Sequence, residues 1–460
     1  MISLFKPNDP IRLFLGILLF LLMFVPLIWF QLPTTENDIL YSLIGNKINE
    51  GSFMYKDIWD YTGLFTSLTY SGITYSRYTS LLASLIPLLV LIFVGVKITL
   101  NFNTIEVYPR KNFLTIYFFI IGIFGSFLIL KFSSQLFSVL FISLGLNIVL
   151  KHFSSHIHDE ERILLGFWHG IASLYFFPST LFFVLHLLFF AAYTKLRFSS
   201  YLLSLFGFII PYFFIGIVYY TQGSLADFIN RAIIYYFQFN FRTGLSFENY
   251  LILIAPVAVS ILISFFCLLS QFHNNIESTT KALMMMWFVC FIIISFWTNF
   301  DAYNCVFLCI PFAYFCTYMF LVLKNKYMYR FLAFCIPVYI VGSFWLDFSH
   351  SIRQRPEKAV IVEKSKFEFS NKKILILGND LAGYYNQKLA TKYLYWPMAQ
   401  KQIRKINSFA GLTMIYTSIS EDWPDVIVDE LHLMPKLQSQ IPVLGELYKQ
   451  NKNNIYYLNK

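Results

Sequence analysis

The sequence predicts a polytopic α-helical membrane protein that ends in a small α/β domain. Three observations carry that prediction. Apolar residues make up 57% of the 460-residue chain, charged residues only 13%, and the mean hydropathy is +0.59. No soluble chain of this length has the interior to hide so much apolar surface, so most of it faces lipid. About eleven apolar runs near the ~20 residues needed to span a bilayer recur between residues 11 and 347. Beyond about residue 350 those runs stop and charge rises.

The runs lie near 11–32, 78–100, 113–131, 134–151, 163–177, 179–195, 200–221, 249–271, 282–298, 303–323 and 329–347. Pro178 separates two short runs that one long kinked helix would otherwise join, and that choice sets the parity of the count. Charge favours two helices. With Lys6 and Arg12 in the cytoplasm, the basic loops at Lys97–Lys111, Lys151–Arg162, Lys195–Arg197, Lys281 and Lys324–Arg330 then all fall inside. The same assignment puts loop 33–77, loop 222–248 and the C-terminal region outside. The first run is long and lacks a small-residue cleavage site, which reads as a signal anchor. The expected domains are a membrane domain over 1–349, whose first outer loop (33–77) carries interfacial helices, and an extracytoplasmic α/β domain over 350–460.

In the tail, Lys372-Lys373-Ile374-Leu375-Ile376-Leu377-Gly378 reads as a buried strand ended by a glycine turn. Pro424–Val428 reads as a second strand, 436–450 as a helix and Asn454–Tyr457 as a last strand. The net charge of +10 does not indicate nucleic acid, because its lysines and arginines are scattered between apolar runs. The six cysteines all fall inside apolar segments without metal-ligand spacing and read as small buried hydrophobes. Gly378-Asn379-Asp380-Leu381-Ala382-Gly383 lacks the spacing of a dinucleotide loop, so no nucleotide is expected.

The first outer loop carries the densest chemistry. Glu36 and Asp38 follow Thr34 and Thr35 at the start of a short helix with Tyr41, Ile44 and Ile48 on one face. Two readings stand side by side. Either the acids cap the helix and complement its dipole, or one carboxylate deprotonates an acceptor hydroxyl or binds a divalent cation beside a phosphate. A second cluster comes next, Tyr55, Lys56, Asp57, Trp59 and Asp60. Aromatic and acidic residues together suit sugars, since rings stack on sugar faces and carboxylates accept hydroxyl protons. Loop 222–248 carries Arg231 and Arg242, whose planar guanidinium groups suit phosphate as well as plain headgroup contact. Asn299, Asp301, Tyr303 and Asn304 form a polar knot between two runs, or a short turn. His169, inside a run, reads as structural. His152, His156 and His158 read as a solvated loop.

These elements together resemble the GT-C class of polytopic glycosyltransferases, which includes protein O-mannosyltransferases and aminoarabinose transferases. In that class a first span leads into a large outer loop that opens with an acidic pair, a tyrosine, a glycine and a Tyr-Arg-Asp-like segment. Asn37-Asp38, Tyr41, Gly51 and Tyr55-Lys56-Asp57-Ile58-Trp59-Asp60 are similar to that series. In the tail, Gly378-Asn379-Asp380 and Ala390-Thr391-Lys392-Tyr393 are similar to elements of the terminal domain in bacterial relatives. Asp301 to Tyr303, ahead of Pro311, resembles the polar entry to a late span. Asn37 stands where the family usually has its leading aspartate, so Glu36 or Asp38 would have to serve.

The resemblance implies an inverting glycosyltransferase in a bacterial inner membrane. Its donor would be a polyprenyl-phosphate sugar, and its acceptor a hydroxyl on an envelope glycan, lipid or protein, reached from the membrane lipid's outer face. Asp38 or Glu36 would be the base. Tyr41, Tyr55, Lys56, Asp57, Trp59, Asp60, Asp301 and Tyr303 would line the substrate site. Arg231, Arg242 or a divalent cation would stabilise the leaving phosphate. Two other classes compete. A non-catalytic scaffold on the same fold is one, kept open by Asn37. A transporter is the other, and it predicts paired broken helices and mid-span ionisable groups.

Overall fold

The computed structural model describes residues 9–29, 32–154, 158–194, 196–238, 246–268, 275–346, 362, 367, 369–450 and 454–459. The chain forms two compact units. The first comprises Met1–Leu32, Ser80–Thr221 and Phe241–Ala359, and the second Pro33–Thr79, Gln222–Asn240 and Val360–Lys460. The boundary expected at 349/350 lies outside the described residues.

Although the run 113–131 is α-helical only over Leu114–Ile123 and continues as a 3₁₀ turn at Phe127–Leu130, each of the expected apolar runs overlaps a helix of the first unit. These are α1 (Pro10–Trp29), α4 (Thr79–Thr104), α5 (Leu114–Ile123), α6 (Ser134–Ser154), α7 (Asp159–Tyr175), α8 (Thr180–Tyr193), α9 (Phe198–Thr221), α11 (Phe247–Leu268), α12 (Asn275–Trp297), α13 (Cys309–Val322) and α14 (Lys326–Leu346). Among the described residues, seven apolar stretches are long enough to cross a membrane and the others are shorter. The chain is therefore an integral membrane protein. Around Pro178 there are two helices, joined by a 3₁₀ turn at Phe177–Ser179. Proline has no N–H to continue α7, but its fixed φ suits the first turn of a new helix.

The centre of this unit is α13, where Phe312, Ala313, Tyr314, Phe315 and Cys316 are fully buried. By contrast α9 turns Phe206, Phe213 and Phe214 outward, each at least 60% exposed, as a lipid-facing helix does. The closest helix pair is α7 with α9. A Cβ added at Gly166 would sit 1.8 Å from the Ser204 carbonyl oxygen, and one at Gly207 would sit 2.0 Å from that of Ile163. Gly166 and Gly170 are four apart on one face, so the two backbones touch directly. Nearby, the His169 Nδ1–H donates to the Leu165 carbonyl at 2.8 Å. Its Nε2 then accepts from His186 Nδ1 at 2.9 Å, so the lone histidine of the sequence reading is one of a buried pair. The cysteines described with their side chains (Cys290, Cys305, Cys309, Cys316 and Cys335) are free thiols.

The second unit begins with α2 (Glu36–Asn49) and α3 (Leu64–Tyr75), which pack together. Tyr41 and Ile44, on the apolar face of α2, are buried, and the Tyr41 ring lies 5.7 Å from that of Tyr70 on α3. The face expected to lie in the membrane interface is thus covered by protein. The middle segment forms α10 (Leu225–Phe228), a π turn at Ile229–Ile233 and a 3₁₀ turn at Ile234–Gln238.

The tail contributes β1 (Lys373–Ile376), β2 (Lys388–Leu389), α15 (Trp396–Ile403), α16 (Phe409–Ser420), β3 (Val426–Val428), α17 (Met434–Gln440), α18 (Pro442–Leu447), β4 (Tyr448–Gln450) and β5 (Ile455–Leu458). The sheet order is β2-β1-β3-β5-β4. β1 runs parallel to β2 and β3, while β5 is antiparallel to β3 and β4. The expected strands are present, but the helix expected over 436–450 is not continuous. Pro442 ends α17 and starts α18, and 448–450 pairs with β5 instead. Leu375, Ile427, Trp396, Ile415, Met434 and Tyr448 fill the core.

Three sets of bonds interlock the tail with the first loop. Val362 N–H donates to Thr34 O at 2.8 Å. Asp422 takes both Lys47 (2.5 Å) and Lys373 (2.6 Å). Trp59 N–H donates to Lys392 O at 2.8 Å, and Tyr395 N–H to Trp59 O at 3.0 Å.

Candidate functional site

The segment 53–62 is a tight irregular turn built mostly by its own side chains. Tyr55 has φ +67°, a region costly for a residue with a Cβ, and several bonds hold it there. Tyr55 N–H donates to Ile58 O at 3.0 Å, and its hydroxyl donates to Thr62 O at 2.8 Å. Asp57 closes the turn by accepting from Phe53 N–H at 2.8 Å. Asp60, fully buried, accepts from Thr62 N–H at 2.7 Å. Tyr55 and Asp60 are therefore turn-building residues, whereas Lys56 and Asp57 are exposed and Trp59 is half-buried.

Two cations converge on Trp59. The Arg231 guanidinium carbon lies 4.3 Å from the indole centroid, and the Lys392 ammonium lies 5.2 Å from it. Arg231 comes from the π turn, a helical irregularity frequent at functional sites. Its Nη1 donates to Tyr55 O and pairs with Asp227 at 2.8 Å. Among the described residues its Nε and Nη2 have no partner, and the Lys392 ammonium makes no hydrogen bond or ion pair. Burial pushes the Lys392 pKa down from its ordinary value; Glu421 opposes that shift and Arg231 adds to it. Lys56 lies alongside, reaching Gln222 O at 3.4 Å, and its own carbonyl takes the Trp59 indole N–H at 3.2 Å. A stack of Tyr61, Tyr235, Tyr236 and Tyr395 adjoins the turn.

Trp59 thus holds two cations by its ring face, and those cations keep free N–H groups. Such an arrangement is ready for an anionic oxygen.

At the start of α2, Thr35 and Asp38 form a reciprocal capping box. Asp38 accepts from Thr35 N–H at 2.8 Å and from its hydroxyl at 2.9 Å, while Asp38 N–H donates to Thr35 Oγ1 at 3.3 Å. Glu36 is half-buried on the same first turn. Burial, then the Asp38 carboxylate, push the Tyr70 hydroxyl pKa up. Capping is thus present at this end. It fixes the carboxylate's orientation through Oδ2, which accepts both bonds from Thr35.

The remaining candidates lie elsewhere. In the first unit, Asp301 caps the 3₁₀ turn Ala302–Leu308 through Tyr303 N–H at 3.1 Å and accepts from Gln135 Nε2 at 2.8 Å. Asn304 donates to Thr298 Oγ1 at 2.7 Å, and Tyr303 is buried. Arg242 lies outside the described residues, as does His156. Among the described residues no three His, Cys, Asp or Glu side chains come together.

Sequence reasoning missed Lys392 as a site residue. Its only signal was the short Ala390–Tyr393 element. Nothing local announces that a lysine after a two-residue strand will meet a tryptophan over 300 positions earlier.

No protein-family model matches the sequence, and no curated protein matches it significantly. Among solved structures the chain is similar to the apo crystal structure of the oligosaccharyltransferase from Archaeoglobus fulgidus. The two share 13% identity with a TM-score of 0.50, over 97% of this chain and 74% of the other. A second structure of that protein, complexed with Zn and sulfate, gives 13% identity, a TM-score of 0.47 and coverage of 97% and 73%. An apolar helical unit, a small α/β sheet and a likeness running through nearly the whole chain give one answer: this chain has the fold of the GT-C class of membrane glycosyltransferases.

Proposed function

We propose that the protein is a glycosyltransferase that moves a sugar from a polyprenyl-phosphate donor to an acceptor hydroxyl of the cell envelope, on the outer face of the cytoplasmic membrane. The observation that carries this reading is the cation pair on Trp59. Residues from three separate chain segments meet there with unused donors, on a GT-C fold. The same unit carries Glu36 and Asp38.

Topology supports the sidedness. The segments 33–79, 222–240 and the tail pack as one unit although six helices and then four helices intervene. Counted as crossings together with the shorter helices α5, α7 and α8, as the apolar runs of the sequence suggest, both sets are even. That returns the chain to the same side, and the positive-inside pattern makes that side the outer one. The N-terminus is then cytoplasmic.

In the reaction, Asp38 (or Glu36) removes the proton of the acceptor hydroxyl. That oxygen attacks the anomeric carbon from the face opposite the leaving group. The anomeric C–O bond breaks, its electron pair leaves on the lipid-phosphate oxygen, and the configuration inverts. Arg231 Nε and Nη2, with the Lys392 ammonium, hold the phosphate as its charge grows. Arg242 is a second candidate for that role, and Lys56 and Asp57 face the sugar.

The test is release of free polyprenyl phosphate. Purified protein in proteoliposomes is given a panel of polyprenyl-phosphate sugars with crude envelope acceptor. Acceptor-dependent release that Arg231→Ala abolishes supports the proposal. No release from any donor, with the variant still complementing in cells, refutes it in favour of a scaffold.

A further inference from the structure

A cleft lies in the second unit, at the far end of α2 from Asp38. Its volume is about 380 Å³, within the range of small-ligand sites. The C-terminal turns of α2 and α3 and the edge strand β2 line it, and none of its lining residues belongs to the Trp59 cluster. The lining offers donors and acceptors that no described residue uses. Asn49 Nδ2 is bound to Ser71 O (3.0 Å) and Thr74 Oγ1 (2.9 Å), which fixes the amide and leaves its carbonyl oxygen for a ligand. Among the described residues the side chains of Asn46 and Lys388 have no partner. The Tyr75 ring, 85% exposed, stands at the cleft without a ring neighbour among them.

Charge narrows the ligand. Lys47, also in the lining, pairs with Asp422 at 2.5 Å, which it shares with Lys373, and approaches Glu50 at 3.6 Å. Three lysines against two carboxylates leave one net positive charge, and of the lining cations only Lys388 has no carboxylate partner among the described residues, so the cleft lacks the cluster of free cations that a phosphate site uses. Amides, a carboxylate, an ammonium and one open aromatic face match the alternating hydroxyls and apolar faces of a neutral saccharide. A peptide fits less well. Strand addition needs a longer edge than the two residues of β2.

Position suggests the role. Asn46 follows Asp38 by eight residues on one helix, about 12 Å along its axis. We infer that this cleft is a distal subsite for a neutral oligosaccharide acceptor, gripping the chain several sugars away from the hydroxyl that reacts. The inference rests on the glycosyltransferase reading for the word acceptor, but saccharide binding is testable without it.

The test is saturation-transfer NMR and calorimetry on the full chain in nanodiscs, with maltotriose, triacetylchitotriose, glucose and a serine-rich peptide as probes. One trisaccharide binds saturably, about tenfold more tightly than glucose, and Asn46→Ala with Tyr75→Ala removes most of that binding. Both positions are on the surface, so the melting temperature stays unchanged, and Asp38→Asn binds as wild type does. Failure of every trisaccharide to bind, binding unaffected by the two substitutions, or preference for the peptide overturns the inference. Trisaccharide binding without sugar transfer from any donor supports the cleft and counts against the transferase reading alone. Transfer without trisaccharide binding does the reverse.

Discussion

Gly166→Ala tests the helix packing that the membrane unit depends on. A methyl group at this position would lie 1.8 Å from Ser204 O, 2.6 Å from Phe208 N and 2.9 Å from Ser204 C. Ordinary contact begins near 3.4 Å, so the clash is about 1.6 Å deep. All three atoms are backbone, and no side chain can swing aside. α7 and α9 must separate, and the contacts at Gly170 and Gly207 open with them. Overpacking typically costs ~1–3 kcal/mol where neighbours relax, so about 3 kcal/mol is expected here. In a nanodisc melt this is a fall of about 5 °C or more. Gly342→Ala is the matched control, because a Cβ on that α14 glycine meets nothing within 4 Å. Alanine is the better helix former, so that variant holds or slightly raises the melting temperature. If Gly166→Ala melts within a degree of wild type, α7 and α9 do not touch as described.

The sites give further expected outcomes. Arg231→Lys keeps the charge but loses the planar fork, and kcat/KM in proteoliposomes falls about 10- to 100-fold. Lys392→Met removes a half-buried cation whose burial opposes its charge, so the melting temperature at pH 7 holds or rises while transfer drops about tenfold or more. The same shift sets the sign of the pH dependence. The folded-state pKa of Lys392 lies below the ordinary 10.5, so anion binding fades as pH rises through that lowered value, and Lys392→Arg abolishes this alkaline limb. The linked stability runs the other way. The unfolded chain holds the proton longer, so this group's contribution to stability rises with pH between the two values. Asp38→Ala loses the capping box and about 1 kcal/mol, whereas Asp38→Asn keeps an oxygen for Thr35 and stays close to wild type in a thermal melt.

Much of the fold was legible because lipid writes its requirement locally. A run such as 200–221 announces a helix by length and apolarity alone, and Pro178 announces a break. The buried strands Lys373–Ile376 and Val426–Val428 show the same directness. The failures share one cause, which is partnership across distance. Ile44 reads as an interfacial residue until α3 covers it. Residues 448–450 read as helix until β5 pairs with them. The bonds of Tyr55 and Asp60 to Thr62, which hold the turn beside their reading as sugar ligands, were likewise not announced by any local pattern. The spacing of Gly166 and Gly170 was visible, but only the packed helices give it meaning. Trp59 and Arg231 were singled out separately for sugar and phosphate. Their contact, and the arrival of Lys392, come from three segments closing into one unit, which no local pattern encodes.

The most direct measurement compares single-turnover sugar transfer by wild type, Asp38→Asn and Glu36→Gln in proteoliposomes, with a panel of polyprenyl-phosphate sugars and crude envelope acceptor. If an acid on the first turn of α2 is the base, one of the two variants loses transfer by several orders of magnitude while both fold and bind donor normally. Transfer retained in both variants would contradict that assignment, and absence of transfer in the wild type from every donor would contradict the enzyme itself.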